Sequence, residues 1–203
     1  MKTGFNLRPT EDTGVFIDGP NLYGAAKVVG RDIDYRLLRS HFMDNSFTNR
    51  IFYYSSILEA GEDQFVTIKP LLDWLSYNGY RVVTKTAREF IDSTGHRKIK
   101  GSMIVDMAVD ILRAAMNGTK HIVLFSGDGE FTPVLKAVQE MGARTTIVSS
   151  KASANGAPMI SDELYRQTDN FVDIMNVLDL ITRGRETRGA ETTSTPRRAA
   201  ATA

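Results

Sequence analysis

Cysteine is absent from this chain, and its 203 residues include only three histidines and one tryptophan. Without thiols there is no cysteine nucleophile, no cysteine-held zinc and no disulfide framework. Histidines at positions 41, 96 and 121 are too few and too scattered to suggest a multi-histidine metal site. Oxygen ligands remain, and these favour a hard ion such as Mg2+ or Mn2+. Long hydrophobic runs are missing as well. The opening MKTGFNLRPTEDTG has no apolar stretch like that of a signal peptide, and no run approaches the length needed to cross a bilayer. Cytoplasmic location is therefore expected, with no membrane partner. A net charge of +1 supplies no global attraction for nucleic acid, so such a partner would need a local basic patch.

The length suits one domain plus tails. Residues 1–12 read as a polar leader and 13–182 as the domain. The last 21 residues, 183–203, carry five arginines against two glutamates and no large apolar side chain, a composition expected to form a disordered basic tail. Between the tails, apolar strand-like runs at Gly14–Ile17, Arg50–Ser56, Tyr80–Lys85, His121–Ser126 and Thr145–Ser149 alternate with helical periodicity at Asp34–Met43, Phe65–Asn78, Ser102–Asn117 and Thr132–Met141, and a shorter helix near Ser161–Gln167. Asn78-Gly79, Asn117-Gly118 and Gly142 read as helix stops. Strands apolar nearly throughout and separated by helices predict an α/β domain, a three-layer α/β/α sandwich around a mainly parallel sheet of about five strands. In such sheets the working groups gather beyond the carboxyl ends of the strands.

Acids occupy those ends. Asp18 follows Val-Phe-Ile and precedes Gly19-Pro20-Asn21, where Asn21 can orient the carboxylate; an Asx turn or helix cap is the plainer alternative. Ser126-Gly127-Asp128-Gly129-Glu130 follows the strand ending at Phe125, its glycines allowing a sharp turn that aims Asp128 at the strand ends. Glu130 is either an outer acid or a first-turn glutamate favoured by the helix dipole. The helix at Ser102–Asn117 is apolar nearly all round, yet Asp106 and Asp110 project from it at i and i+4. Like charges at that spacing cost roughly 0.2–0.5 kcal/mol even when exposed, a penalty that a divalent ion would remove; Arg113 could instead neutralise Asp110. Upstream, Lys98 and Lys100 in HRKIKG could meet substrate phosphates or simply lie in a solvated loop. Tyr23 is placed to stack on a base.

Taken in order, IDGPNLY, KGSMIVDMAVDIL and VLFSGDGEF followed by a helix and TTIVSS resemble the NYN domain family of PIN-like nucleases, in its bacterial branch. The resemblance covers about residues 14–180. It implies a Rossmann-like, PIN-like fold and Mg2+- or Mn2+-dependent hydrolysis of RNA phosphodiesters by clustered acids. By position, Asp18 matches the first-strand acid, Asn21 the asparagine of its turn, Asp110 the later helix acid and Asp128 the acid after the fourth strand. Where the family usually has an acid early in the helix, this chain has Ile104. Asp106 lies about 200° round the helix from it. The resulting expectation is a metal-dependent endoribonuclease with RNA as partner. Asp18, Asp106 and Asp128 are the expected metal ligands, and Asp110 completes the catalytic set. Asn21, Tyr23, Lys98, Lys100, Ser126 and Glu130 are the expected substrate contacts. The substitution at Ile104 motivates the alternative, an NYN domain that binds RNA or acts as an adaptor without cutting. A homo-oligomer is left open.

Overall fold

The computed structural model describes residues 4–58, 63–91, 97–152 and 158–182, with backbone alone at 49, 58, 63–67, 88–91 and 97–100. The basic tail at 183–203 lies outside the described residues. Seven strands form one sheet in the order β4-β3-β2-β1-β5-β6-β7. In chain order they are β1 (Asp12–Asp18), β2 (Phe47–Leu58), β3 (Tyr80–Ile91), β4 (Arg97–Lys100), β5 (His121–Phe125), β6 (Arg144–Ser149) and β7 (Asn170–Asp173). All neighbours run parallel except β3 and β4. The expected α/β class with a mainly parallel sheet holds, but five strands become seven. Both additions are short and polar edge strands, RKIK and NFVD, and their apolar content is too low to mark them as strands before a neighbour offers its unpaired edge.

Alternation along the central strands explains the three layers. Val15, Ile17, Ile51, Tyr53, Val123 and Phe125 join one core with Leu22 and Ala25 of α1 (Gly19–Val28), Leu38 and Phe42 of α2 (Tyr35–Asn45), Leu72 and Leu75 of α3 (Asp63–Tyr77) and Ile181 of α7 (Leu178–Ile181). Their neighbours Phe16, Phe52, Tyr54, Ile122 and Leu124 face the opposite way, onto Met103, Met107 and Ile111 near and in α4 (Ile104–Met116), Leu135 and Val138 of α5 (Thr132–Glu140) and Leu164 of α6 (Asp162–Gln167). Successive strand side chains point to opposite faces, so a doubly covered sheet must be apolar at nearly every position. Each large side chain so buried contributes roughly 1.5–3 kcal/mol.

The leader is not wholly polar in its packing. Phe5 is 1% exposed and lies between the rings of Phe42 and Phe125, at 4.8 and 5.9 Å. One phenylalanine in a polar stretch carries no periodicity, which is why the sequence pattern assigns it to no element. The glycines expected to stop helices do so, with positive φ at Gly79, Gly118 and Gly142.

Candidate functional site

The chain builds outward from β1 through β2 and β3 to β4, then returns to lay β5 on the other side of β1. That reversal leaves a crevice beyond the carboxyl ends of β1 and β5, the place where open α/β sheets bind ligands. Asp18 ends β1 there. No free turn follows it. Its carboxylate caps α1 directly, Oδ1 accepting the Asn21 N–H at 3.2 Å, with Pro20 in the first turn where a missing N–H costs nothing. Asn21 thus acts on Asp18 through its backbone.

Ser126 ties the two strand ends together. Its hydroxyl donates to Asp18 Oδ2 at 3.2 Å, while its oxygen accepts the Asp128 N–H at 3.3 Å. Asp128 in turn caps the short helical turn Gly129–Phe131, accepting the Glu130 N–H at 2.9 Å. Gly127 permits this loop by size rather than by dihedral freedom, since its φ is not positive. A Cβ there would stand 2.1 Å from the Met159 carbonyl oxygen and 2.6 Å from Ser149 Oγ.

Asp18 and Asp128 line one pocket of about 200 Å³, together with Ser56, Ser102, Ile104 and Met107. Burial pushes the Asp18 carboxyl above its ordinary range, and the Asp128 charge adds to that; the Asn21 N–H and Ser126 hydroxyl oppose it. Two acids held beside each other in a desolvated crevice favour a cation between them.

The helix acids go elsewhere. Asp106 pairs with Lys85 at 2.8 Å, and Asp110 accepts a hydrogen bond from the Tyr54 hydroxyl at 3.0 Å with Arg113 at 3.7 Å. Neither lines the pocket of Asp18 and Asp128. Among the described residues no group of three acids or histidines could hold a metal, so the expected cage of Asp18, Asp106 and Asp128 is not assembled. The reason is helical phase. Met103, Met107 and Ile111 point into the core, so Asp106 and Asp110, three residues after the first two of these, turn towards β2 and β3. Ile104 takes the place over the crevice.

The other expected contacts divide. Glu130 is exposed outside the loop. Tyr23 is 65% exposed, with Lys27 Nζ 6.0 Å from its ring, and lines a different cleft beside Gly30 and Tyr35. Lys98 and Lys100 pair with Phe90 and Arg88 through their backbones; their side chains lie outside what is described. Sequence reasoning missed Ser56 and the apolar wall of Met103 and Met107, because no local motif marks a residue that only register brings to the crevice. Tyr54, fully buried in β2, carries a polar role through its hydroxyl that its place in an apolar strand run conceals.

Compared with known proteins, the chain matches the NYN domain over residues 12–179. It is 28% identical over 178 residues to the low amplitude and bright protein LabA of Synechococcus elongatus, a match covering 86% of this chain and 89% of the relative. Its fold is similar to that of a crystal structure of a protein of unknown function from Vibrio parahaemolyticus. The TM-score is 0.62 at 19% identity, over 81% of this chain and 93% of the other.

Proposed function

The chain belongs to the NYN domain family, and from that premise and the pairing of Asp18 with Asp128 we propose that it is a metal-dependent endoribonuclease. The observation that carries the reading is the convergence of these two acids at the sheet's topological switch, locked together by Ser126. Family membership supports RNA as the substrate class.

The donor set fits one hydrated hard ion. Mg2+ is commonly held by one or two carboxylates, with waters and substrate phosphates completing its shell, and the pocket offers Asp18, Asp128 and the nearby Ser56 and Ser102. When bound, Mg2+ or Mn2+ would supply an acidified water and charge for the phosphoryl oxygens. The chain's own residues supply position. Ser126 and the Asn21 N–H hold the two oxygens of Asp18, and the Glu130 N–H holds one oxygen of Asp128. Met103, Ile104 and Met107 form an apolar wall that keeps bulk water from one side. In-line hydrolysis at this place would leave a 5′-phosphate and a free 3′-hydroxyl. Asp110 and Asp106 brace α4 against β2 and β3 in this scheme, and the cytoplasm is the proposed place of action.

A second reading has its own support: Ile104 in place of a third acid favours an RNA-binding module without cleavage. One experiment separates the two. Wild-type protein is incubated with single-stranded and with structured RNA in Mg2+, in Mn2+ and in EDTA, beside an Asp18→Asn, Asp128→Asn double variant. The nuclease reading expects products only with metal and none from the variant. Products persisting in the variant refute it, and binding without products under either metal leaves the module.

A further inference from the structure

A larger cleft, of about 710 Å³, opens at the other end of α4 and is lined by Arg50, Arg81, Arg113, Asp110, Phe52 and Asn117, among others. Its position follows from coverage. On this side of the sheet α4 packs over β1, among the described residues no helix packs chiefly on the β2–β3 half, and Arg81 sits 5.6 Å over the Phe52 ring. Arg50 and Arg81 have no carboxylate partner among the described residues. Arg113 is 71% exposed and only loosely paired, at 3.7 Å, with an Asp110 already held by Tyr54. Two acids, Asp12 and Asp110, face three guanidiniums across the cleft.

Two guanidiniums without an acid partner and a third only loosely held, around an open trough, match a phosphodiester backbone. Geometry connects the trough to the acidic crevice. Ser56 lines the crevice and Arg50 the cleft, so β2 joins them over six residues, about 20 Å at the usual strand rise. That is about six stacked nucleotides at ~3.4 Å each. Lys85, paired with Asp106 but half-exposed, stands at the crevice end of this path, opposite Ser56 on the neighbouring strand. We propose that the arginine cleft anchors the RNA strand at phosphates about six nucleotides from the crevice, which deepens the RNA reading above and rests on it.

The test measures binding of a fluorescent 12-nucleotide single-stranded RNA by anisotropy from 50 to 200 mM salt, in EDTA so that no cutting occurs. Each single-strand phosphate contact contributes about 0.7 to the slope of log affinity against log salt. Arg50→Gln, Arg81→Gln should therefore lower the slope by about 1.4, losing about sevenfold less affinity than wild type across that salt range. Arg113→Gln alone should lower it by about 0.7, and serves if the double variant melts early. Lys136→Gln on α5 is the control and should leave the slope unchanged. Wild-type binding with arginine variants identical to it overturns the cleft while sparing the RNA reading. So does an equal fall in the Lys136 variant, which would mean diffuse attraction. Wild type that binds no RNA in EDTA also overturns the cleft, while the cleavage assay with Mg2+ and Mn2+ decides the proposed function.

Discussion

Replacing Ile104 by aspartate tests whether the crevice lacks only one ligand. Ile104 is partly buried, packs against the α4 core and lines the pocket with Asp18 and Asp128. Without metal the change should destabilise. Losing a half-buried isoleucine costs about 1 kcal/mol, taking half the value of full burial. A third carboxylate beside an Asp18 whose carboxyl is already raised by burial adds like-charge repulsion of about 1 kcal/mol. A loss of about 2 kcal/mol lowers Tm by about 4–8 °C for a domain of this size. With Mn2+ at a hundred times its Kd the variant should regain about 2.7 kcal/mol, which more than reverses the loss, while wild type with two carboxylates gains less. Differential scanning fluorimetry in EDTA and across a Mn2+ series reads both numbers. If Mn2+ raises the two proteins equally, or fails to raise the variant, then Asp18 and Asp128 do not face position 104 as ligands and the metal reading fails.

Two other outcomes follow from the same packing. Gly127→Ala should destabilise by about 1–3 kcal/mol, because the new Cβ meets the Met159 carbonyl and Ser149 Oγ; a urea midpoint equal to wild type would show that the loop is not tightly seated. His121 is fully buried between Thr146 and Arg144. Burial, with Arg144 adding to it against Glu11, pushes its imidazole down to about 3. The folded value lies below the ordinary 6.5, so the unfolded chain takes up the proton first. Stability from this group is complete above pH 6.5 and is lost at up to about 1.36 kcal/mol per pH unit as the pH falls towards 3. His121→Gln should flatten that acid limb in Tm measured from pH 7 to pH 4, and an unchanged limb would place the acid sensitivity elsewhere.

Strands and helices were readable where burial writes a repeating pattern. The runs around Val15, Ile51, Val123 and Ile147 name a doubly covered sheet without help, and the glycines at 79, 118 and 142 stop their helices because φ is positive there. Where a residue's role depends on another segment, local pattern falls silent. Phe5 fills a hole made by α2 and β5, and β7 is a strand only because β6 offers it an edge. The helix α1 was hidden because Asp18-Gly-Pro-Asn spells a turn as readily as a cap and first turn.

Asp18 and Asp128 could be nominated from sequence because each ends an apolar run, and the carboxyl ends of parallel strands share one edge. Sharing an edge does not fix a distance. Only the tertiary structure decided that Ser126 would bind the two acids together, that Lys85 would take Asp106 and Tyr54 would take Asp110. Helical spacing puts Asp106 and Asp110 on one face whatever lies opposite; the sheet packed against α4 determines whether that face meets an ion or a base. A sequence states which charges exist and where along the chain they recur, whereas their partners are chosen by register and helix phase, quantities set when the two cores close.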